Sequence, residues 1–329
     1  MPDAFPLDPR LAALGLTSPV ALAPMAGITD RPFRDLVAGF GAGLVVSEMV
    51  ASREMVEAKP SVRDRAELGA RVAGTSVQIA GREARWMAEA ARMLAGQGAA
   101  MIDVNMGCPA KKVTGGLSGA ALLRDHDHAL RLIEAVVAAA GVPVTLKTRL
   151  GWDDDSRDTA ALAVRAEAAG VAMLAIHGRT RCQFYRGRAD WAAVRPIVRA
   201  VAIPVLVNGD VTDAASARAA LAASGAAGVM VGRGAQGRPD RLAALAAALA
   251  GRAPPPAPDL AATALAHYEA ALAFYGPELG ARVVRKHLGW YMDRAGTPAA
   301  LRAAVLTGAP AEVRRRLPAA LAYVCKDAA

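Results

Sequence analysis

IPVLVNGDVTDAASARAALAASGAAGVMVGRG, residues 203–234, holds one full repeat of the pattern on which the chain is built. A short run of Val and Leu ends at Asn208, Gly209 and Asp210, an alanine-rich stretch carrying Asp213 and Arg218 follows, and a second apolar run ends at Gly232 and Arg233. Short apolar runs bounded by turn residues suit strands buried on both faces, and the longer stretches between them suit the crossover helices of a parallel sheet. The same alternation, followed outward, places candidate strands at Val20 to Ala23, Leu44 to Ser47, Ser76 to Ile79, Met101 to Asn105, Val144 to Lys147, Met173 to His177, Val205 to Asn208 and Gly228 to Val231. Eight strands over about 230 residues match the count and length of a (β/α)8 TIM barrel, an α/β fold, rather than an open doubly wound sheet. A dinucleotide-binding open sheet carries G-x-G-x-x-G after its first strand, and Pro24-Met25-Ala26-Gly27 stands there instead.

Past the last barrel helix, GRAPPPAP at 251–258 is too stiff and too poor in N–H donors for helix or strand, so it reads as a linker. From Leu260 to Val324 a helical periodicity breaks at Gly276-Pro277, Gly296 and Gly308, which predicts a small C-terminal bundle of about four helices. The expected organisation is a catalytic barrel over 1–250, a linker over 251–258 and a helical domain over 259–329.

Composition narrows the partners. Hydrophobic residues make up 54 % of the 329 and charged residues 21 %, which excludes a disordered tail protein and supports a sizeable core. The 39 Lys and Arg exceed the 30 Asp and Glu, and a net charge of +9 favours an acidic partner such as RNA, DNA, phosphate or a lipid surface without choosing among them. Cys108, Cys182 and Cys325 show no C-x-x-C spacing, so neither a disulfide framework nor a zinc site is indicated, no metal is expected, and a reducing cytosol fits. The uncharged stretch Leu11 to Thr29 is interrupted by Pro19 and Pro24, and no other run approaches the ~18 uninterrupted apolar residues of a membrane span. A soluble, cytoplasmic protein with no membrane contact is expected.

In a barrel of this kind the active site lies at the carboxyl ends of the strands, so polar residues just past each apolar run are the informative ones. They are Met25 and Ala26, Gln78, Asn105 and Cys108, Lys147 and Arg149, His177 and Arg179, Asn208, Gly209 and Asp210, and Gly232 and Arg233. The last two segments put small residues and backbone N–H groups in the loops where barrels commonly bind phosphate, with Arg233 adding a charged fork. Cys108 sits in NMGCPAKKVTGG, where Gly107 permits close approach, Pro109 fixes the backbone, and Lys111 and Lys112 supply neighbouring cations; the thiol suits a general acid or a nucleophile. Residue chemistry alone thus reaches a TIM-barrel enzyme with a phosphate-containing cofactor and an active-site cysteine.

Seven segments carry a resemblance. LAPMAGITDRPFR at 22–34, VQIAG at 77–81, DVNMGCPAKKV at 103–113, LKTRLGWDD at 146–154, IHGRTRCQFYRGRADW at 176–191, VNGDV at 207–211 and VGRGAQGRP at 231–239 resemble the tRNA-dihydrouridine synthases, in the family's order over nearly the whole barrel. MGCPAKK, with FYG at 274–276 and RKHLGWY at 285–291, is most similar to the bacterial B subfamily.

The resemblance implies an FMN enzyme, reduced by NADPH, that reduces the C5=C6 bond of a uridine in the tRNA D-loop, with position 17 favoured. Cys108 matches the general acid that protonates C5 while hydride reaches C6. The flavin contacts carry over onto Pro24, Met25 and Ala26 at the ring, Gln78 and Lys147 at its polar edge and ribityl chain, and His177, Asn208, Gly209, Asp210, Gly232 and Arg233 toward the phosphate. Asn105 and Arg179 match positions near the substrate, and Arg149, at the end of the fifth strand, is expected on the substrate side with them. Arg181, Arg186 and Arg188, interleaved with Phe184 and Tyr185, suit phosphate contact and base stacking, and Arg282, Arg285 and Lys286 form a cationic helix stripe able to follow RNA backbone. Trp290 and Tyr291 are expected in the core, and Arg314 to Arg316 on a solvated face. No protein partner is indicated, and a monomer is expected. The rival readings are an FMN barrel reductase of a free pyrimidine, of the dihydroorotate dehydrogenase type, and a non-catalytic RNA-binding protein.

Overall fold

The structure is a computed structural model and describes residues 4–59, 64–69 and 75–322. Val324 and Cys325 lie outside the described residues. Among those described, nine parallel strands are formed: β1 (Val20–Leu22), β2 (Leu44–Val46), β3 (Val50–Ala51), β4 (Thr75–Ala80), β5 (Met101–Met106), β6 (Val144–Arg149), β7 (Met173–His177), β8 (Val205–Asn208) and β9 (Gly228–Val231). The order β2-β1-β9-β8-β7-β6-β5-β4 closes on itself because β2 also pairs with β4, giving the expected eight-stranded barrel. The two-residue β3 is extra and pairs with the end of β4, through Val50 opposite Ile79 and Ala51 opposite Ala80.

The crossover between β8 and β9 shows why these residues form these elements. Asp213 caps the helix Ala214–Ser224 by accepting from the Ser216 backbone N–H at 2.7 Å, and Ser216 Oγ closes the reciprocal half of the capping box. Alanine fills the helix at no side-chain entropy cost, and Gly225 ends it in the left-handed region at φ +71°.

Inside the barrel the twofold alternation of the strands sorts side chains by depth. Leu44, Met101, Met173 and Leu206 join Leu11 and Leu16 of the N-terminal segment in one apolar cluster that plugs the amino end. Two and four residues further along the same inward faces stand Asp103 and Asn105 on β5, His177 on β7 and Asn208 on β8, all buried. The barrel interior therefore changes from hydrocarbon to polar groups along its axis.

By packing, the described residues up to Gly234 together with Leu242–Pro254 form one compact unit, and Ala235–Arg241 with the described residues from Pro255 onward form another. In this division residues 235–241 belong with the second unit, and the first runs to Pro254. Within the second unit, Gly237 abuts Trp290 so closely that a Cβ would stand 2.7 Å from its carbonyl oxygen, and Asp240 pairs with Arg238 at 3.0 Å and Arg294 at 3.4 Å. Helices Leu260–Tyr275, Pro277–Ala295, Ala299–Thr307 and Pro310–Leu321 pack around Tyr268, Leu288, Tyr291, Met292 and Leu317. Tyr291 is fully buried and Trp290 half-buried, while Arg314 is held at the surface by Glu269 at 2.6 Å.

His267 is buried in this second core, its Nδ1 3.0 Å from the Tyr291 hydroxyl and its ring edge-to-face with His287 at 4.6 Å. Burial pushes its pKa from 6.5 down to about 3. The folded form keeps the ring neutral while the unfolded chain takes up a proton below pH 6.5, so stability is intact above that pH and erodes as pH falls toward 3. Between pH 7 and pH 5 this site should cost about 2 kcal/mol, and His267→Gln should flatten that part of the pH dependence in urea unfolding followed by far-ultraviolet circular dichroism.

Candidate active site

The last inward positions of adjacent strands are brought side by side by the register. Gln78 lies opposite Asp103, Asn105 opposite Lys147, Arg149 opposite His177, and His177 opposite Asn208. Neighbouring strands from β4 to β8 thus contribute one polar belt at the carboxyl end of the barrel.

One side of the belt is a continuous hydrogen-bond chain. Asp103, fully enclosed, accepts from Thr145 Oγ1 at 2.5 Å and from Gln78 Nε2 at 2.7 Å. Because Gln78 uses its amide N–H on Asp103, its carbonyl is left to accept from Asn105 Nδ2 at 2.8 Å. Asn105 Oδ1 in turn accepts from the backbone N–H of Cys108 at 3.0 Å. Each amide is fixed in one orientation by the partner before it, so the buried carboxylate sets the position of the cysteine loop. Burial raises the pKa of Asp103 despite these hydrogen bonds.

The loop is held from below as well. Arg149, 2 % exposed, donates from Nε to the Gly107 carbonyl at 2.7 Å and from Nη1 to the carbonyls of Thr180 at 3.0 Å and Phe184 at 2.8 Å. Gly119, at φ +60°, lies against the cysteine, since a Cβ there would stand 2.9 Å from the Cys108 carbonyl oxygen. Cys108 is half-buried. Lys111 and Lys112 are exposed on the short helix Lys111–Thr114, and Lys147 and Arg149 of the neighbouring strand are coupled electrostatically to Cys108.

The other side of the belt is cationic. Lys147 Nζ donates to Asn208 Oδ1 at 3.1 Å, and Asn208 is oriented by donating to the Met230 carbonyl at 2.8 Å. Burial, followed by the Arg149 charge, brings Lys147 down to about 8, so at neutral pH its ammonium is charged yet close to releasing a proton. Burial and then the surrounding cations hold His177 well below its usual value, so the imidazole is neutral. The Arg179 guanidinium, which can only donate, lies 3.2 Å from His177 Nε2, which puts the ring proton on Nδ1.

Arg179 is 1 % exposed and also bonds the carbonyls of Arg186 and Gly187 and the Asp210 carboxylate at 2.6 Å. Asp210 holds Arg233 at 3.3 Å and accepts from the Ala189 N–H at 2.7 Å. Arg149 and Arg179 are thus built into the wall, where they tie down the loops after β5 and β7. Asp210 acts as the anchor between two cations.

After β8, the bare backbone of Gly209 passes close to the imidazole; a Cβ would meet the His177 ring at 2.9 Å, and φ is +116°. Gly232 faces Met25, whose sulfur would lie 3.6 Å from a Cβ added at the glycine, so the β1 and β9 loops meet there. Pro24 and Met25 are half-buried, Ala26 is exposed, and Arg233 extends into solvent, with 59 % of its side chain exposed. Tyr185 stands beside the mouth with Arg149 and Arg233 over its ring at 5.4 and 5.5 Å. Arg181 lies over Trp152 at 4.6 Å, and Arg186 is exposed. Arg282, Arg285 and Lys286 lie together on Pro277–Ala295 in the second unit, all three exposed.

Sequence reading missed Asp103 and Thr145. Their signal was the alternation itself, since each lies two residues before a polar belt residue on the same strand face. Among the described residues, no His, Cys, Asp or Glu cluster is arranged to hold a metal ion, and no helix is long and apolar enough to cross a membrane.

A closed parallel barrel, with a cysteine loop tied to a buried carboxyl group and a neutral histidine among cations at its strand ends, defines a (β/α)8 fold of the enzyme kind. Comparison gives the family. The dihydrouridine synthase family model matches residues 21–320, and the chain belongs to that family of oxidoreductases. It is similar to a probable tRNA-dihydrouridine synthase of Rhodobacter capsulatus, 65 % identical over 293 residues, covering 88 % of this chain and 90 % of the relative. It is also similar to tRNA-dihydrouridine synthase B of Xanthomonas campestris, 48 % identical over 275 residues and 83 % of each chain. Among solved structures, histamine dehydrogenase from Rhizobium sp. 4-9 superposes with TM-score 0.53 at 13 % identity over 68 % of this chain and 45 % of that one, a likeness of fold.

Arg149→Lys keeps the charge but cannot reach three carbonyls in one plane. It should lower stability by about 2–3 kcal/mol, read from the urea midpoint.

Proposed function

We propose that this enzyme reduces uridine to 5,6-dihydrouridine in the D-loop of tRNA, with position 17 the favoured site, using FMN held in the barrel mouth and NADPH as the source of electrons. The observation that carries the reading is the chain from Asp103 through Gln78 and Asn105 to the Cys108 N–H, which fixes one proton-donating group at the rim of a site otherwise lined by cations and a neutral imidazole.

The residues present fit a planar anionic cofactor. Lys147 and Arg233 supply positive charge, His177 offers Nδ1–H, and the bare backbone at Gly209 and Gly232 allows close approach. Bound there and reduced by NADPH, FMN would supply a hydride equivalent to C6 of the uracil. Cys108 gives its proton to C5, so the ring gains two hydrogens in total and the thiol regains its proton from solvent. Lys147, as ammonium, stabilises the negative charge that the ring carries between the two transfers. Asn105 and Arg149 hold the cysteine loop in place for that proton, and Arg179 and Asp210 keep the loop after β7 in register with it. Since a stacked base cannot enter a barrel mouth, the target uridine leaves its stack to react.

The purified protein, reduced anaerobically with NADPH, should lose its flavin band and regain it on addition of tRNA lacking dihydrouridine, but not of orotate or uracil. Cys108→Ala should keep tRNA affinity and lose reduction by about a hundredfold or more. A flavin reoxidised by orotate alone, or an unchanged rate in Cys108→Ala, would overturn the reading.

The stripe of Arg282, Arg285 and Lys286 supports the helical unit as a grip on the RNA backbone. Replacing all three with Gln should weaken tRNA binding and reduce the salt slope by about 2–3, leaving flavin content unchanged. A salt slope equal to that of the parent protein would place the RNA elsewhere.

A further inference from the structure

We infer that a groove beside Trp86, outside the barrel mouth, receives one unpaired base of the RNA substrate next to the uridine being reduced. The inference rests on the tRNA reading above and adds a second recognition site to it.

The groove has a volume of about 400 Å³, within the ~300–1,000 Å³ range of small-ligand sites. It lies between the strand ends at Ala51 and Ala80 and the far part of the cysteine loop at Gly116 and Ser118. It therefore opens on the same rim as the catalytic mouth. Just beyond its edge, Gly119 lies against Cys108, and the Ala120 N–H donates to the Cys108 carbonyl at 3.1 Å. An occupant of the groove would touch the loop that carries the proton donor.

Its lining selects a nucleobase. Trp86 lies with the guanidinium groups of Arg53 and Arg85 over its ring at 5.8 and 5.0 Å. An aromatic face enriched by cations is the surface on which single-stranded bases stack, and the stacking tolerates any base. The lining cations Arg53, Lys59 and Arg82 are matched by Glu54, Glu57 and Glu83, and the two signs pair at the surface, as in Arg53–Glu57 at 2.7 Å. Equal numbers of exposed pairs make a weak phosphate cradle, but carboxylates and guanidiniums together can serve the donor and acceptor edge of a base.

An independent feature lies on the loop side. Leu117, between the two lining residues Gly116 and Ser118, is 63 % exposed and has φ +56°. A large apolar side chain presented to water from the left-handed region is costly unless something covers it. The aromatic face at Trp86 and the backbone at Gly116 and Ser118 bound the groove on two elements, with the exposed Leu117 beside it, which suits a flat ring better than a peptide chain.

The test uses the full-length holoenzyme, NADPH and tRNA transcripts, with single abasic nucleotides placed on either side of the target uridine. Trp86→Ala should raise KM for tRNA about tenfold, with Trp86→Phe in between and Leu117→Ser showing a smaller rise, while flavin content and the rate of flavin reduction by NADPH stay at the parent values. One abasic position should raise KM for the parent enzyme by a similar factor and have no further effect in Trp86→Ala. Part of the tryptophan fluorescence quenched by tRNA should disappear in Trp86→Phe. An unchanged KM in both Trp86 variants, or additive effects at every abasic position, would overturn this inference while leaving the enzyme's activity on tRNA standing. A KM effect that no abasic position reproduces would point to a protein or peptide occupant and also overturn it. If the parent enzyme failed to reduce any tRNA, the tRNA reading would fall and this inference with it.

Discussion

Asp103 occupies a buried layer of the barrel and must be satisfied by the side chains that the neighbouring strands bring. β6 offers Thr145 and β4 offers Gln78, and because an amide has a donor and an acceptor end, satisfying the carboxylate dictates which end of Gln78 faces Asn105. Asn105 is then oriented in the same way toward the Cys108 backbone. The position of a reactive loop at the rim thus follows from a desolvated carboxyl group in the interior, and the register between strands sets the geometry of every step.

The opposite wall poses the reverse problem, with four cations near one imidazole. Lys147, Arg149, Arg179 and Arg233 all disfavour protonation of His177, and among the described residues Asp210 is the carboxylate that pairs two of them. Much of the remaining cost is met by backbone carbonyls: Arg149 takes three and Arg179 two. Carbonyls neutralise no charge, so the wall stays electropositive overall while its guanidiniums stay rigid. This combination attracts an anionic ligand without needing to rearrange on binding.

Much of this was legible beforehand because buried parallel strands are continuous apolar runs whose polar ends stand out. Each expected strand begins at or within a residue of its observed start, and Met173 to His177 matches at both ends. β3 was invisible because two residues carry no periodicity. Lys111 and Lys112 stand out by adjacency to Cys108, whereas Lys147 and Arg149 are coupled to it electrostatically from an adjacent strand, a relation that only register reveals. The roles of Arg149 and Arg179 as ties depend on carbonyls brought in from distant loops, and the groove at Trp86 is assembled from three separate segments; neither leaves a local pattern. The proline run marked a change of composition, but the allegiance of residues 235–241 was decided by Trp290 and Arg294, far along the chain.

That allegiance bears on how such a chain could have been assembled in evolution. A module added by fusing one gene behind another is joined at one seam and can be severed there. Here the polypeptide enters the helical unit at Ala235, leaves it at Leu242 and enters again at Pro255. Severing the chain at the proline run would take from the helices the glycine that seats Trp290 and the aspartate that holds Arg294. The helical part is therefore interlaced with the barrel in sequence, and exchanging it between relatives requires a matching segment directly after β9 as well as a matching tail.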